Sequence, residues 1–331
     1  MSTVVTGLRA VVTDPIVTRL EPLFRGLGPE HDWRFVAHRP ADEQSEAIAL
    51  ADVLVCSRLS AEDARRCRAG LVHVTGSGTD RVALDALVPG TQVLRTGHHE
   101  RSIAEHVLLV VLAHHRRLAE ATGQMRDGTW RSVATDPGTP MHRNFNELTI
   151  GLVGFGGIGQ QTMELCSSLG AKCVAVRRSP RPEEQRAPGL EWVKDMQALP
   201  ELLAVSDVVV LGVPLTERTT HLIGAEELGL MKPDALLVNV SRGPVIDQDA
   251  LHEALTHTRI GGAALDVWWG APEGTRAPAS VNHFAGLPNV IATPHNSGHA
   301  QRTFEDRIRE IVANINAYAS STPKAKLWPR G

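Results

Sequence analysis

No C-x-x-C pair occurs in this 331-residue chain; its four cysteines, Cys56, Cys67, Cys166 and Cys173, lie apart, in or beside apolar stretches. That excludes a small disulfide-stapled scaffold and points to reduced core thiols in a reducing compartment, with the cytoplasm as the expected location. Neither sign of charge dominates, because 34 Lys and Arg stand against 37 Asp and Glu, a formal charge of −3. A nucleic-acid or membrane-surface partner calls for a basic excess, so neither is expected. Long apolar runs are missing too. The longest, Val107–Ala113, is far short of the roughly 18 residues of a membrane span. Met1–Val12 carries Arg9 inside a short apolar run that reads as a first strand, and it lacks the basic start and long apolar core of a signal peptide. No short repeat and no low-complexity segment is present.

What is present suits a two-domain α/β protein. The length allows two domains of ordinary size. Leu8–Val12, Ala51–Cys56, Leu71–Thr75 and Gln92–Arg95 read as strands separated by polar helical stretches, a pattern that implies a parallel sheet. Ser102–Glu120 reads as one long apolar helix, and Gly123–Glu147, with Asp127-Gly128, Pro137-Gly138 and Pro140, as an irregular connection. The alternation then restarts with six strand candidates: Leu148–Val153, Lys172–Val176, Val208–Val213, Ala235–Val240, Gly262–Asp266 and Val290–Ala292. Near the end, Phe304, Ile308, Ile311 and Ile315 form one apolar helical stripe, expected to return to the first domain.

Leu148–Val153 leads into Gly154-Phe155-Gly156-Gly157-Ile158-Gly159, then a helix-compatible stretch, then the strand at Lys172. Strand, G-x-G-x-x-G, helix, strand is the dinucleotide fingerprint in its required setting. The first glycine permits the tight turn, the second lets backbone approach a pyrophosphate, and the third lets helix pack on strand. The N–H groups of the helix start then hold the anion. At the end of the second strand, where an NAD site would carry Asp or Glu for the ribose hydroxyls, the chain has Arg177-Arg178-Ser179. These donate hydrogen bonds and cannot accept them from the ribose, so the expected cofactor is NADP, with NAD as a possible second.

Together with that fingerprint, Val213-Pro214-Leu215-Thr216, Val238-Asn239-Val240-Ser241-Arg242-Gly243, Ala264-Leu265-Asp266-Val267, Thr293-Pro294-His295, Thr75-Gly76-Ser77-Gly78-Thr79-Asp80 and Ser102-Ile103-Ala104-Glu105-His106 resemble the D-2-hydroxyacid dehydrogenase family over nearly the whole chain. The resemblance implies two doubly wound parallel-sheet domains. A Rossmann nucleotide domain, residues 99–298, would be inserted in a discontinuous flavodoxin-like substrate domain, residues 1–98 and 299–331. It also implies a homodimer built largely through the nucleotide domain and its flanking arm, acting on a small 2-oxo or 2-hydroxy acid.

The matched residues suit those roles. Arg242 follows the fourth strand of the second set, and its fixed fork matches a carboxylate and a polarised carbonyl together. His295, in a Thr-Pro-His loop, has the near-neutral pKa that proton transfer to a substrate needs. By resemblance, Val213, Pro214 and Thr219 line the cofactor, and Asp266 contacts the nicotinamide amide beside Val240 and Ser241. Ser77 and Gly78 hold the substrate carboxylate through backbone N–H groups, and His99, standing where relatives often have Asn, lines the same site. Metal is not expected: His98-His99 and His114-His115 are adjacent pairs whose side chains point apart, and Gly298 interrupts the His295–His299 pair.

One departure stands out. The family pattern Asp-Val-x-x-x-Glu-Pro reads Asp266-Val267-Trp268-Trp269-Gly270-Ala271-Pro272 here, so Ala271 replaces the carboxylate that orients the catalytic His. Formate dehydrogenases, which are similar in their Asp-Val-Trp and Thr-Pro-His-x-Ser-Gly strings, have Gln at that position. Formate- or phosphonate-type oxidation is therefore the alternative within the enzyme class. A nucleotide-sensing regulator, as in the C-terminal binding protein corepressors of the same fold, is the alternative outside it.

Overall fold

Parallel pairing governs both sheets of the computed structural model, which describes residues 7–321 and, of Gln185 and Arg186, the backbone alone. The first residues of the expected signal-free N-terminus, 1–6, and the tail of the expected substrate domain, 322–331, lie outside the described residues. The chain divides into two compact units, residues 7–98 with 300–321 and His99–His299.

The first unit holds β1 (Arg9–Val12), β2 (Asp32–Phe35), β3 (Val53–Cys56), β4 (Leu71–Val74) and β5 (Gln92–Arg95), in the spatial order β2-β1-β3-β4-β5. That is the flavodoxin order of a doubly wound sheet. β3 and β4 are buried along their whole length, the continuous apolar reading that a central parallel strand requires. β2 escaped the sequence reading. It lies on the sheet edge with Asp32 and Arg34 exposed and only Trp33 fully buried, so it shows no apolar run. The helix Gln301–Ser321 buries Phe304, Ile308, Ile311 and Ile315 against Leu8, Ala10, Val12 and Trp33, and so returns to the first sheet.

The second unit holds β6 (Thr149–Val153), β7 (Lys172–Val176), β8 (Leu190–Lys194), β9 (Val208–Leu211), β10 (Leu236–Asn239), β11 (Gly262–Leu265) and β12 (Val290–Ala292), in the order β12-β11-β10-β9-β6-β7-β8. The strand order reverses between β9 and β6, the switch point of a Rossmann sheet. There are thus seven strands where the sequence suggested six. β8, the addition, is an edge strand in which Leu190 and Val193 are buried and Glu191 is exposed. The expected single helix is broken as well, into Glu100–His115 and Leu118–Arg126, with Arg117 at φ 48° between them. A left-handed residue ends a helix by turning its backbone out of register, and the apolar run has already stopped at Arg116. Ile103, Val107 and Val111 of the first of these helices pack with Ile150, Leu152, Val210 and Val238 of the sheet.

The cysteines are free and buried, and burial pushes the Cys56 and Cys166 thiols up to about 12. At the amino end of β9, Asp207 accepts hydrogen bonds from Arg143 Nη1 (2.8 Å), Lys232 Nζ (2.9 Å) and the Thr149 N–H (2.8 Å). Burial pushes that carboxyl up, but these donors outweigh it and hold the group below the usual carboxylate range.

Burial also pushes His114, His115, His106 and His73 down; His114 reaches about 4, helped by His115 and Arg117. His114 packs directly on Gly262, where a Cβ would meet its ring. A histidine held neutral in the fold stabilises fully above its unfolded pKa near 6.5 and loses that contribution as pH falls toward the folded value. For His114 the loss between pH 6.5 and 4 should be about 3 kcal/mol. Urea unfolding of wild type and His114→Gln across this range should show a shallower decline in the variant; parallel declines would remove His114 from the acid response.

Candidate active site

β6 runs into the glycine loop, and two of its glycines are forced. Gly154 sits at φ 99°, a backbone that side chains rarely adopt, and a Cβ there would also lie 2.7 Å from Gly212 O. A Cβ on Gly159 would collide with Gly154 O, so the third glycine does let the helix Gly157–Ser168 close on its strand. Gly156, by contrast, has nothing within 4 Å of where its Cβ would be. That open face beside the helix start is the cradle a pyrophosphate needs, so these residues fit a dinucleotide. The Glu100 side chain packs against Gly157, a neighbour that no spacing rule would have found.

The other predicted cofactor residues lie on the same rim, at the carboxyl ends of β7, β9, β10 and β11. Val213 and Pro214 follow β9, and Thr219 fastens their loop: its hydroxyl donates to Pro214 O at 2.6 Å and accepts from the Thr216 N–H at 2.8 Å. Arg178 and Ser179 are exposed after β7. Arg177 is turned inward instead, with Nη1 donating to Phe155 O at 3.2 Å and to Glu184 Oε1.

Arg242 follows β10, half-buried, and its turn is shaped by Asn239, which the sequence reading had not singled out as functional. Asn239 Oδ1 accepts from the Ser241 N–H (3.0 Å) and hydroxyl (2.7 Å), and its Nδ2 donates to Arg242 O at 3.0 Å. A fully buried amide ending the apolar strand Leu236–Asn239 was the available signal, because such a group must find partners. Val240 and Ser241, both buried, lie within this turn.

Asp266, 1% exposed after β11, organises the loop after β12. Its carboxylate accepts from Thr293 Oγ1 (2.6 Å), the Asn296 N–H (2.9 Å) and the Ser297 N–H (3.1 Å). His295 lies inside that grip, exposed, with φ 58°. A non-glycine residue in this region carries strain of about 1 kcal/mol or more, which the anchored residues on both sides sustain. Trp268 Nε1 donates to Thr293 O at 2.9 Å, and Ser102 Oγ to Ser297 O at 2.7 Å. Buried His99 lies against Gly298, so the structure brings it to the His295 loop. Asp266 was expected at a nicotinamide amide, yet three of about four acceptor positions of its carboxylate already serve the loop. Ala271 is exposed beside Gly270 at φ 108°, and Glu273 closes a tight backbone pair with Arg276.

Ser77 and Gly78 belong to the first unit, exposed in the bend after β4. Arg95 Nη1 donates to Ser77 O at 3.3 Å, and in a trans peptide this sets the Gly78 N–H to point the opposite way. The bend is anchored at Thr75, whose hydroxyl donates to buried Asp14. Among the described residues, no group of three or more His, Cys, Asp or Glu could hold a metal ion, and no helix is long and apolar enough to cross a membrane.

The family model for the D-isomer specific 2-hydroxyacid dehydrogenase NAD binding domain matches residues 108–297. Glyoxylate reductase of Thermococcus gammatolerans is 38% identical over 218 residues, 65% of this chain and 62% of the relative, so the match spans less than two thirds of that protein. Hydroxypyruvate reductase of Thermotoga maritima is 32% identical over 274 residues, covering 80% of this chain and 85% of the relative. Among solved structures, the pyruvate reductase of Chlamydomonas reinhardtii superposes with a TM-score of 0.76 at 27% identity, covering 97% of this chain and 99% of that one.

The grip on the His295 loop yields a direct test. Asp266→Asn keeps the shape but removes the charge from both backbone hydrogen bonds and turns an amide N–H₂ toward one of the two donors, and hydrogen bonds to a charged group are worth about 1.5–3 kcal/mol. Amide hydrogen exchange at Asn296 and Ser297 should quicken by roughly tenfold or more, with Leu236–Asn239 unaffected. Unchanged exchange at both amides would show that the loop holds its shape without Asp266.

Proposed function

The chain belongs to the D-isomer specific 2-hydroxyacid dehydrogenase family, and from that premise we propose that it is an NADP-preferring reductase of small 2-oxo acids that also runs in the oxidative direction on 2-hydroxy acids. The observation that carries this reading is the rim of the second sheet. Arg242, Asp266 and His295 stand on three successive loops, after the adjacent strands β10, β11 and β12, with the glycine loop after β6 on the same rim.

When bound, the nicotinamide cofactor supplies or accepts the hydride at the substrate C2. Gly154, Gly156, Gly157, Ile158 and Gly159 would cradle its pyrophosphate, Val213, Pro214 and Thr219 would line it, and Arg178 and Ser179 would donate to its 2′-phosphate. The turn Val240-Ser241 and the remaining acceptor position of Asp266 would hold its amide end. Arg242 polarises the substrate carbonyl with a fork that a lysine lacks. His295 delivers the proton that reduction consumes, and its exposed, anchored loop suits exchange with solvent. Ser77 and Gly78 would donate backbone N–H groups to the substrate carboxylate, and His99, beside the His295 loop, would line the substrate. The four buried thiols suit a reducing cytoplasm.

Glyoxylate and hydroxypyruvate, the acids named for the relatives, head the substrate panel. Oxidation of NADPH against 2-oxo acids should show turnover with at least one of them, and Arg242→Lys should lose catalytic efficiency by about tenfold or more while cofactor affinity holds. Turnover of formate or phosphonate alone would favour the oxidative alternative. Binding without turnover would favour the nucleotide-sensing regulator, the reading that Ala271 supports. The pH dependence follows the same chemistry. A carboxylate beside His295 would raise its pKa, so in Ala271→Glu the reductive rate, which falls as His295 loses its proton, should fall at higher pH than in wild type. A falling limb that stays in place would mean that another group already pairs with His295.

We also propose that the chain forms a homodimer through the segment from Leu109 to Met141. Leu118, Met125, Trp130, Val133 and Met141 are all exposed there, Trp130 by 70% and Met141 by 85%. Exposed apolar side chains gathered in one segment mark an interaction face. Light scattering on the wild type should give the mass of two chains, and Trp130→Asp combined with Met141→Asp should give one; a monomeric wild type would refute the assignment.

A further inference from the structure

The two arginines after β7 have different fates. Arg178 is exposed, whereas the Arg177 side chain is 22% exposed and its Nη1 donates both to Phe155 O of the glycine loop and to Glu184 Oε1. Glu184 lies in the short 3₁₀ turn Pro182–Arg186, with its side chain 7% exposed. Its other oxygen accepts from the Arg181 N–H at 2.9 Å. A carboxylate so far removed from water needs a counter-charge, and Arg177 provides it. The next loop has thus brought an acid back to the strand end where a NAD-binding sheet carries its own, and there it is bonded to an arginine rather than open to a ribose.

We infer that Glu184 is the specificity-determining residue of the cofactor site, an assignment that rests on the cofactor reading above. Its carboxylate neutralises Arg177 and turns the guanidinium onto the glycine loop. The 2′-phosphate of NADPH is then read by Arg178 and Ser179, one cation rather than two, and NADH is admitted alongside. Sequence alone counts two cations at this place; the ion pair leaves one for the phosphate. Removing the negative charge while keeping the shape frees Arg177 to donate to a 2′-phosphate, and NADH, which has no phosphate there, gains nothing.

Dissociation constants for NADPH and NADH, measured by calorimetry on wild type, Glu184→Gln, Arg178→Ala and the double variant Glu184→Gln/Arg177→Ala, test this without any turnover assay. Glu184→Gln should tighten NADPH by about tenfold, the value of one charge-assisted hydrogen bond, with NADH changed by less than about twofold. The double variant should lose the gain. Arg178→Ala should weaken NADPH by about tenfold, whereas the double variant, which removes both members of the ion pair and leaves no bare carboxylate, should bind NADPH within about threefold of wild type. Equal losses from Arg178→Ala and the double variant, or a Glu184→Gln protein whose two affinities shift together, would overturn the assignment and leave Glu184 as a loop anchor. A wild type that binds neither cofactor would overturn the cofactor reading itself, and this inference with it.

Discussion

Parallel pairing is the constraint on which everything else here depends. Two neighbouring parallel strands cannot be joined by a hairpin, so the chain must cross back over a face of the sheet before each new strand. Both faces are therefore covered, the central strands become continuous apolar runs such as Val208–Leu211, and every strand leaves the sheet at the same rim. The glycine loop after β6 and the loops after β7, β9, β10, β11 and β12 open on that rim. Chemistry collects there because the fold delivers backbone and side chains to it from six strands at once.

Loops on a rim would be imprecise if nothing fastened them, and in this chain buried polar side chains do so. Asp266 holds the His295 loop, Asn239 the Arg242 turn, Asp14 the Ser77-Gly78 bend, and Glu184 the arginine after β7. Asp207 plays the same part at the opposite end of the second sheet, tying Arg143 and Lys232 to the start of β6. Each of these groups is expensive to bury and stays buried because its acceptors are satisfied. A hydrogen-bonded carboxylate fixes direction as well as distance, which apolar packing does poorly. That is how His295 keeps a left-handed backbone in an exposed loop.

Central strands were legible in the sequence, as were the edge strands β5 and β12, whereas the edge strands β2 and β8 were not. A strand covered on both faces, such as β3 or β10, must be apolar throughout and declares itself. β2 and β8 lie at edges, mix polar with apolar residues, and resemble the loops around them. Gly154 and Gly159 were legible because backbone geometry allows nothing else at the turn and at the close approach of helix to strand. The break at Arg117 was not, because a residue that can be left-handed gives no sign in sequence that it will be.

The sequence by itself determined the family, the parallel two-sheet architecture, and the residue types carried on the loops of the rim. Local spacing is enough for that, since periodicity and turn chemistry act over a few residues. Only the tertiary structure decided which charges pair: that Arg177 is spent on Glu184 while Arg178 is not, and that the Asp266 carboxylate is largely occupied by the loop that carries His295. Those outcomes depend on contacts across 7 and 27 residues of chain, formed where water is excluded, and an ion pair or a buried hydrogen bond exists only once the fold has removed the competing solvent.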